Sequence, residues 1–127
     1  MPLVARELAF HYPGTRVLEA VDVCVEEGTA LAIIGPNGTG KTTLLRCLAG
    51  LLAPQRGDVQ IDGEALGAMP RREVARRISV VPQARPSAFA FSALEFVMMG
   101  FHARLGRFAL ESDAQRDRAH EALEALG

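Results

Sequence analysis

Lys41 is the chain's single lysine, and it closes the run Gly35-Pro36-Asn37-Gly38-Thr39-Gly40-Lys41-Thr42; the rest of its 14 basic residues are arginines. The run is a G-x-x-x-x-G-K-[ST] frame, the spacing that wraps a loop around a nucleotide triphosphate. Each residue type has a task. Glycines let the backbone turn tightly and approach an anion with no Cβ in the way. Successive N–H groups then point inward as a nest. A following helix adds its unpaired amides and the positive end of its dipole. Lys41 brings a mobile point charge to the outer phosphates, and Thr42 places a hydroxyl where Mg²⁺ needs an oxygen. Thr43 falls nearer the inner phosphates. Taken alone, the same residues also fit a glycine-rich turn with no ligand.

Such a loop has to sit between a strand and a helix. Ala30-Leu31-Ala32-Ile33-Ile34 reads as a buried strand before it, and Thr42 to Ala49 as a helix after it, closed by Gly50. Upstream, Val4 to Phe10 and the alternating Val21-Asp22-Val23-Cys24-Val25 read as strands, joined through a turn at Tyr12-Pro13-Gly14-Thr15. Downstream come a loop at Ala53 to Gly57, a strand at Asp58 to Ile61 and a tight turn at Asp62-Gly63. A basic helix over Arg71 to Arg77 starts at Pro70, and Ile78-Ser79-Val80-Val81 reads as one more strand, stopped by Pro82. Ser92-Ala93-Leu94-Glu95 is a capping box opening a helix through Met99. Ser112-Asp113-Ala114-Gln115 opens another, with Ala119, Ala122, Leu123 and Leu126 on one face.

Composition narrows the class. At 127 residues and 49% hydrophobic, the chain is one domain at most, or part of one, with enough apolar matter to bury a core. A net charge of −1 gives no general attraction to nucleic acid. Arginine in place of lysine, with abundant alanine, points to a GC-rich coding bias. Cys24 and Cys47 lack metal-ligand spacing and are expected to be buried reduced thiols. His11, His102 and His120 are scattered. No secretory leader and no run of 18 apolar residues is seen, so the expected location is the cytosol.

Further residues fall into a known order. Leu8 to Gly14 looks like an aromatic loop, Gly35 to Thr43 like a Walker A, Leu48 to Val59 like the stretch that follows it, and Val80-Val81-Pro82-Gln83 like a Q-loop. In this series, over essentially its whole length, the chain strongly resembles the N-terminal half of an ABC transporter ATP-binding subunit. The resemblance implies an α/β P-loop NTPase core with an antiparallel β subdomain, over residues 1–83. Residues 84–127 would be the start of a helical subdomain of the same, incomplete domain. It implies ATP and Mg²⁺ as ligands, with Tyr12 stacking on adenine and Val17 near the base. Gly35, Pro36, Asn37, Gly38, Thr39, Gly40, Lys41, Thr42 and Thr43 would hold the phosphates, Thr42 with the metal. Gln83 would touch Mg²⁺ or the attacking water and report to the membrane partner. A turn tyrosine, a core valine and a loop glutamine are the plainer readings of Tyr12, Val17 and Gln83.

Met69 to Gln83, and Leu94 to Gly100 with Leu105 to Phe108, look most like importers of iron–siderophore, haem or cobalamin; zinc and manganese importers share parts of the second stretch. Many of those proteins carry Arg after the glycine where Phe101 stands here. The resemblance further implies transmembrane permease subunits, a second ATP-binding subunit head to tail, a substrate-binding protein upstream, and a place on the inner face of the cell membrane. Phe89, Phe91, Phe96, Met98 and Met99 would then line a permease-facing groove or pack inside their own subdomain.

Neither a Leu-Ser-Gly-Gly-Gln type signature nor four apolar residues followed by Asp-Glu occurs after Gln83. The expectation is that the chain alone is marginally stable, with an exposed edge at Leu31 to Ile34, and binds nucleotide weakly without turning it over. A truncated, non-catalytic gene product is the alternative. A P-loop kinase or GTPase is a further one, but a kinase's arginine-bearing lid and the Asn-Lys-x-Asp of a GTPase are not seen.

Overall fold

The computed structural model describes residues 1–83, 90–103 and 112–126. The chain forms two compact units, Met1–Ser79 and Val80–Gly127. In the first, β1 (Leu3–Tyr12), β2 (Thr15–Val25), β3 (Arg56–Ile61) and β4 (Glu64–Ala65) form an antiparallel sheet in the order β2-β1-β3-β4. The expected strands at Val4 to Phe10, Val21 to Val25 and Asp58 to Ile61 are therefore present and longer than the sequence pattern indicated.

Two bulges keep the sheet's apolar residues on one face. In an unbroken strand Ala5 and Leu8 would point to opposite faces. Both are buried, at 1% and 0% exposure. One extra residue on β1 explains this: Ala5 pairs with Val23 and Leu8 with Val21. Glu7 has φ 47° in the bulge, and its N–H donates to Asp22 Oδ1 at 2.7 Å. On β2 a matching shift near Ala20, at φ 48°, brings buried Leu18 and half-buried Val21 to the same side. Gly57 meets the bulge from β3. It has φ 77°, and a Cβ there would lie 2.1 Å from the Arg6 carbonyl oxygen and 2.6 Å from the Glu7 carbonyl. Only a residue without a side chain lets β3 close on β1 at this point.

Helix α1 (Lys41–Leu48) buries Thr43, Leu44, Cys47 and Leu48. Leu44, Cys47 and Leu48 join Ala5, Leu8, Phe10, Leu18, Val59, Ile61 and Leu66 in one core cluster. Its C-terminus is a Schellman motif. Gly50 takes φ 69°, its N–H donates to Cys47 O at 3.0 Å, and Leu51 N–H reaches Arg46 O at 2.9 Å. The Asp62-Gly63 turn has both residues at positive φ, 52° and 79°, which is type I′ geometry linking β3 to β4. After a 3₁₀ turn at Leu66–Ala68, α2 (Arg71–Arg77) begins directly after Pro70. Arg77 ties it back to β4 through Glu64 at 2.8 Å.

Three expectations are corrected. Residues 30–34 and 78–81 are not strands. Leu31 is 52% exposed and Ile34 91%, and Val80 and Val81 are 52% and 96%. A strand exists only as a paired object, and among the described residues neither run enters a ladder. Ile33 and Ile78 alone from these runs pack against the core. Cys24 is exposed and only Cys47 is buried; both are free thiols. Cys24 shares the outward phase of β2 with Asp22, while Val21, Val23 and Val25 take the inward one.

The second unit packs α3 (Ala93–Met99) against α4 (Asp113–Glu124), with a 3₁₀ turn at Gly100–Ala103 after α3. Both expected helix starts occur. Glu95 Oε2 accepts from Ser92 N–H at 2.7 Å and from the Ser92 hydroxyl at 2.8 Å, and Gln115 Oε1 accepts from Ser112 N–H at 3.1 Å. Met98 and Ala119 are buried, one on each of these helices. Phe91, Phe96 and Met99 are exposed, and Phe89 lies outside the described residues. Leu123 is half-buried beside Ala119, whereas Ala122 and Leu126 are exposed.

Two outcomes follow. Gly57→Ala is expected to destabilise the first unit by at least about 3 kcal/mol, read from urea unfolding; a loss under about 1 kcal/mol would contradict the described approach of β3 to the bulge. The Ser92 N–H and then its hydroxyl hold Glu95 below its ordinary carboxylate value. A lowered folded value means that this cap is fully formed above the ordinary value and is lost as pH falls through the lowered one. Helicity followed by circular dichroism should therefore drop in acid, and Glu95→Gln, which can still accept both bonds, should remove this acid step.

Candidate functional site

The loop from Gly35 to Gly40 leads directly into α1, and its shape depends on two glycines. Gly38 and Gly40 take φ 84° and 90°, in the left-handed region that favours glycine. Gly40 is the N-cap of α1, and its carbonyl accepts the first helical bond from Leu44 N–H at 2.8 Å. It also rests on β2: a Cβ at residue 40 would lie 2.8 Å from Val17 Cγ1 and 3.0 Å from the Val17 carbonyl oxygen. Val17, half-buried, thus forms the floor under the loop.

Side chains close the loop from within. Thr39 Oγ1 donates to Pro36 O at 3.0 Å. The Lys41 ammonium donates to Gly35 O at 2.8 Å and to Pro36 O. With two of its three donors on the first loop carbonyls, Lys41 keeps its charge inside the ring and has a donor left for another oxygen. The first-turn amides of α1 have no side-chain cap, and no acidic residue sits in that turn. Helix-start N–H groups, a helix dipole and a cation therefore converge with no acidic residue in that turn, an arrangement chemically able to hold an anion. Thr42 is exposed at this end, and Asn37 is exposed at the loop tip. Thr43 is 7% exposed, on the face of α1 that enters the core.

Tyr12 ends β1, opposite Thr15. Its ring meets Phe10 edge to face at 5.0 Å and 75°, and it is 39% exposed. It lines a hollow of about 710 Å³ with His11, Thr15, Arg16 and Leu18, among others, in which no residue of the 35–43 loop takes part. The structure thus seats Val17 under the loop and puts Tyr12 at the turn end of the same hairpin, where Thr15, its partner, stands two residues before Val17. Gln83 belongs to the second unit and is exposed there.

One contact near Tyr12 has no signal in the sequence. The Gln55 side-chain amide bonds both main-chain groups of His11: His11 N–H donates to Oε1 at 2.9 Å, and Nε2 donates to His11 O at 3.1 Å. The partners are 44 positions apart, and no periodicity or spacing rule reaches that far.

The sequence model of the ABC transporter family matches residues 18–127. The chain is 42% identical over 127 residues to the hemin import ATP-binding protein of Gloeobacter violaceus, covering 98% of this chain and 45% of that one. It is 38% identical over 120 residues to the cobalamin import ATP-binding protein of Halobacterium salinarum, covering 94% and 30%. A solved metal-chelate type ABC transporter in an inward-facing conformation matches with a TM-score of 0.72 at 27% identity, covering 98% of this chain and 45% of that one. The chain therefore spans less than half the length of these relatives.

Gly40→Ala tests the geometry. Crowding on Val17 and an unfavourable φ should push the loop off its floor. Affinity for inorganic tripolyphosphate, measured by calorimetry, is expected to fall at least about tenfold; an unchanged affinity would show that the seat on Val17 does not shape the site.

Proposed function

Because this chain belongs to the ABC transporter family of ATP-binding proteins, we propose that it carries the nucleotide-holding residues of an importer's ATPase. The observation that carries the reading is the Lys41 ammonium inside a glycine loop at the uncapped start of α1. In this reading the 35–40 backbone and Lys41 hold the outer phosphates, Thr43 lies toward the inner ones, Val17 supports the loop near the base, and Tyr12 stacks on adenine through its exposed face. Among the described residues no three His, Cys, Asp or Glu side chains gather into a metal site. In this reading Mg²⁺ would arrive on the phosphates and take the Thr42 oxygen, and Gln83 would serve the complete protein as a further neutral ligand or water-orienting amide. When bound, Mg²⁺ would draw charge from the phosphate oxygens.

The fuller assembly is proposed on the same basis. Residues 1–83 would form the β subdomain and P-loop core of a single ATP-binding domain, and residues 84–127 would open its helical subdomain. The complete subunit would pair head to tail with a second one, dock on transmembrane permeases and receive cargo through a substrate-binding protein. Among the described residues no helix is long and apolar enough to cross a membrane. This suits a peripheral place on the inner face of the cell membrane. The names of the relatives, hemin and cobalamin import proteins, favour a metal chelate as cargo.

Phosphoryl transfer depends on positioning and charge stabilisation from every side of the phosphate. The 127 residues offer no general-base glutamate and no signature sequence. The chain by itself is therefore expected to bind Mg·ATP without steady-state phosphate release. Lys41→Ala should weaken binding by about 1.5–3 kcal/mol, the range for hydrogen bonds to charged groups, in calorimetric titration. Equal binding by the variant would remove the loop from the reading, and phosphate release that disappears in Lys41→Ala would show that the chain is catalytic alone.

A further inference from the structure

The end of β1 that presents Tyr12 extends past its partner β3. The last β1–β3 pair is Ala9 with Arg56, so among the described residues the stretch from Phe10 to Tyr12 has no strand on that side. Gln55 takes the strand's place. Its own N–H donates to Ala9 O at 2.9 Å, and its side-chain amide then receives from His11 N–H and donates to His11 O. A primary amide carries the same donor and acceptor as a peptide group, so Gln55 adds one rung to the ladder with a side chain. On the opposite edge His11 pairs with Arg16. The main chain just before Tyr12 is thus held from both sides, while the Tyr12 ring leans on Phe10.

We infer that Gln55 is a positioning residue for nucleotide binding: by bonding both main-chain groups of His11 it fixes the ring of Tyr12 for stacking on the base. The inference rests on the assignment of Tyr12 to adenine. The hydrogen bonds that Gln55 makes to described residues go to Ala9 and His11, not to the 35–43 loop. Its loss should therefore be felt through the base and not through the phosphates. Residue identity at position 55 then matters: a side chain without an amide, or too short to span to His11, leaves the end of β1 held on one edge only.

The chain offers a direct readout, because Tyr12 is its one tyrosine and it has no tryptophan. Tyrosine fluorescence, corrected for nucleotide absorption, reports that ring alone. The test compares ATP with inorganic tripolyphosphate, which has the phosphates and no base, in the unaltered chain, Gln55→Leu, Gln55→Glu, Tyr12→Ala and the double variant Tyr12→Ala with Gln55→Leu. Gln55→Glu keeps the length and the acceptor but loses the donor to His11 O. Calorimetry gives each affinity, and circular dichroism shows that each variant is folded.

Gln55→Leu is expected to lower ATP affinity roughly five- to tenfold, to leave tripolyphosphate affinity unchanged and to reduce the ATP-induced quenching of Tyr12. Gln55→Glu should show a smaller loss of the same kind. In the Tyr12→Ala background the Gln55 change should cost nothing more. Equal losses for ATP and tripolyphosphate would make Gln55 a structural residue and overturn the inference, as would no loss for either. If Tyr12→Ala leaves ATP affinity unchanged, the adenine assignment fails and this inference fails with it; if Tyr12→Ala weakens ATP alone while Gln55→Leu does not, only the role of Gln55 is lost.

Discussion

At residue 40 the loop backbone touches the Val17 side chain and carbonyl, and the rest of the site depends on that contact. There is 2.8 Å between Val17 Cγ1 and the point where a Cβ would stand. The same residue is the N-cap of α1 and has φ 90°. One position therefore sets the height of the loop over β2, the start of the helix and the direction of its free amides. Leu44, Cys47 and Leu48, buried in the core, hold the helix from the other end. The glycine loop is the visible tip of an element whose position is set by ordinary hydrophobic packing.

A similar economy appears in the sheet. Glu7 and Ala20 shift the phase of β1 and β2, and Gly57 opens space for the first shift. Without these changes Ala5 and Leu8 could not share a face, and the surface that receives α1 would be half polar. Main chain, rather than side-chain chemistry, decides where this molecule is thin enough for two elements to meet. Charge is then placed on top: Lys41 reaches back to Gly35 and Pro36. A compact ammonium can direct donors to several points of a ring, where a planar guanidinium would need a flat pair of acceptors.

Local signals in the sequence were legible because their physics is local. Pro70 before Arg71, Asp62-Gly63, Ser92 with Glu95, and Ser112 with Gln115 each act within a few residues, and each occurs as read. Residues 30–34 and 78–81 look like strands in the sequence because an apolar run reports what side chains prefer, not whether a neighbouring strand exists to pair with them. Cys24 is exposed because its alternation with Val23 and Val25 sets it on the outward face of β2. The bulges at Glu7 and Ala20 and the grip of Gln55 on His11 were invisible, since they depend on partners that only folding brings near.

The scarcity of lysine has a chemical consequence. Every other basic side chain is a guanidinium, which resists acylation, so a reagent or enzyme that modifies side-chain amines has one address in this chain, Lys41. That amine is bonded to the loop carbonyls of Gly35 and Pro36. Acylation there would erase the loop's only ammonium, and an anion held in the loop, as proposed, would shield the nitrogen. Side-chain amine labelling therefore becomes a covalent record of whether the loop is occupied, written at a single atom.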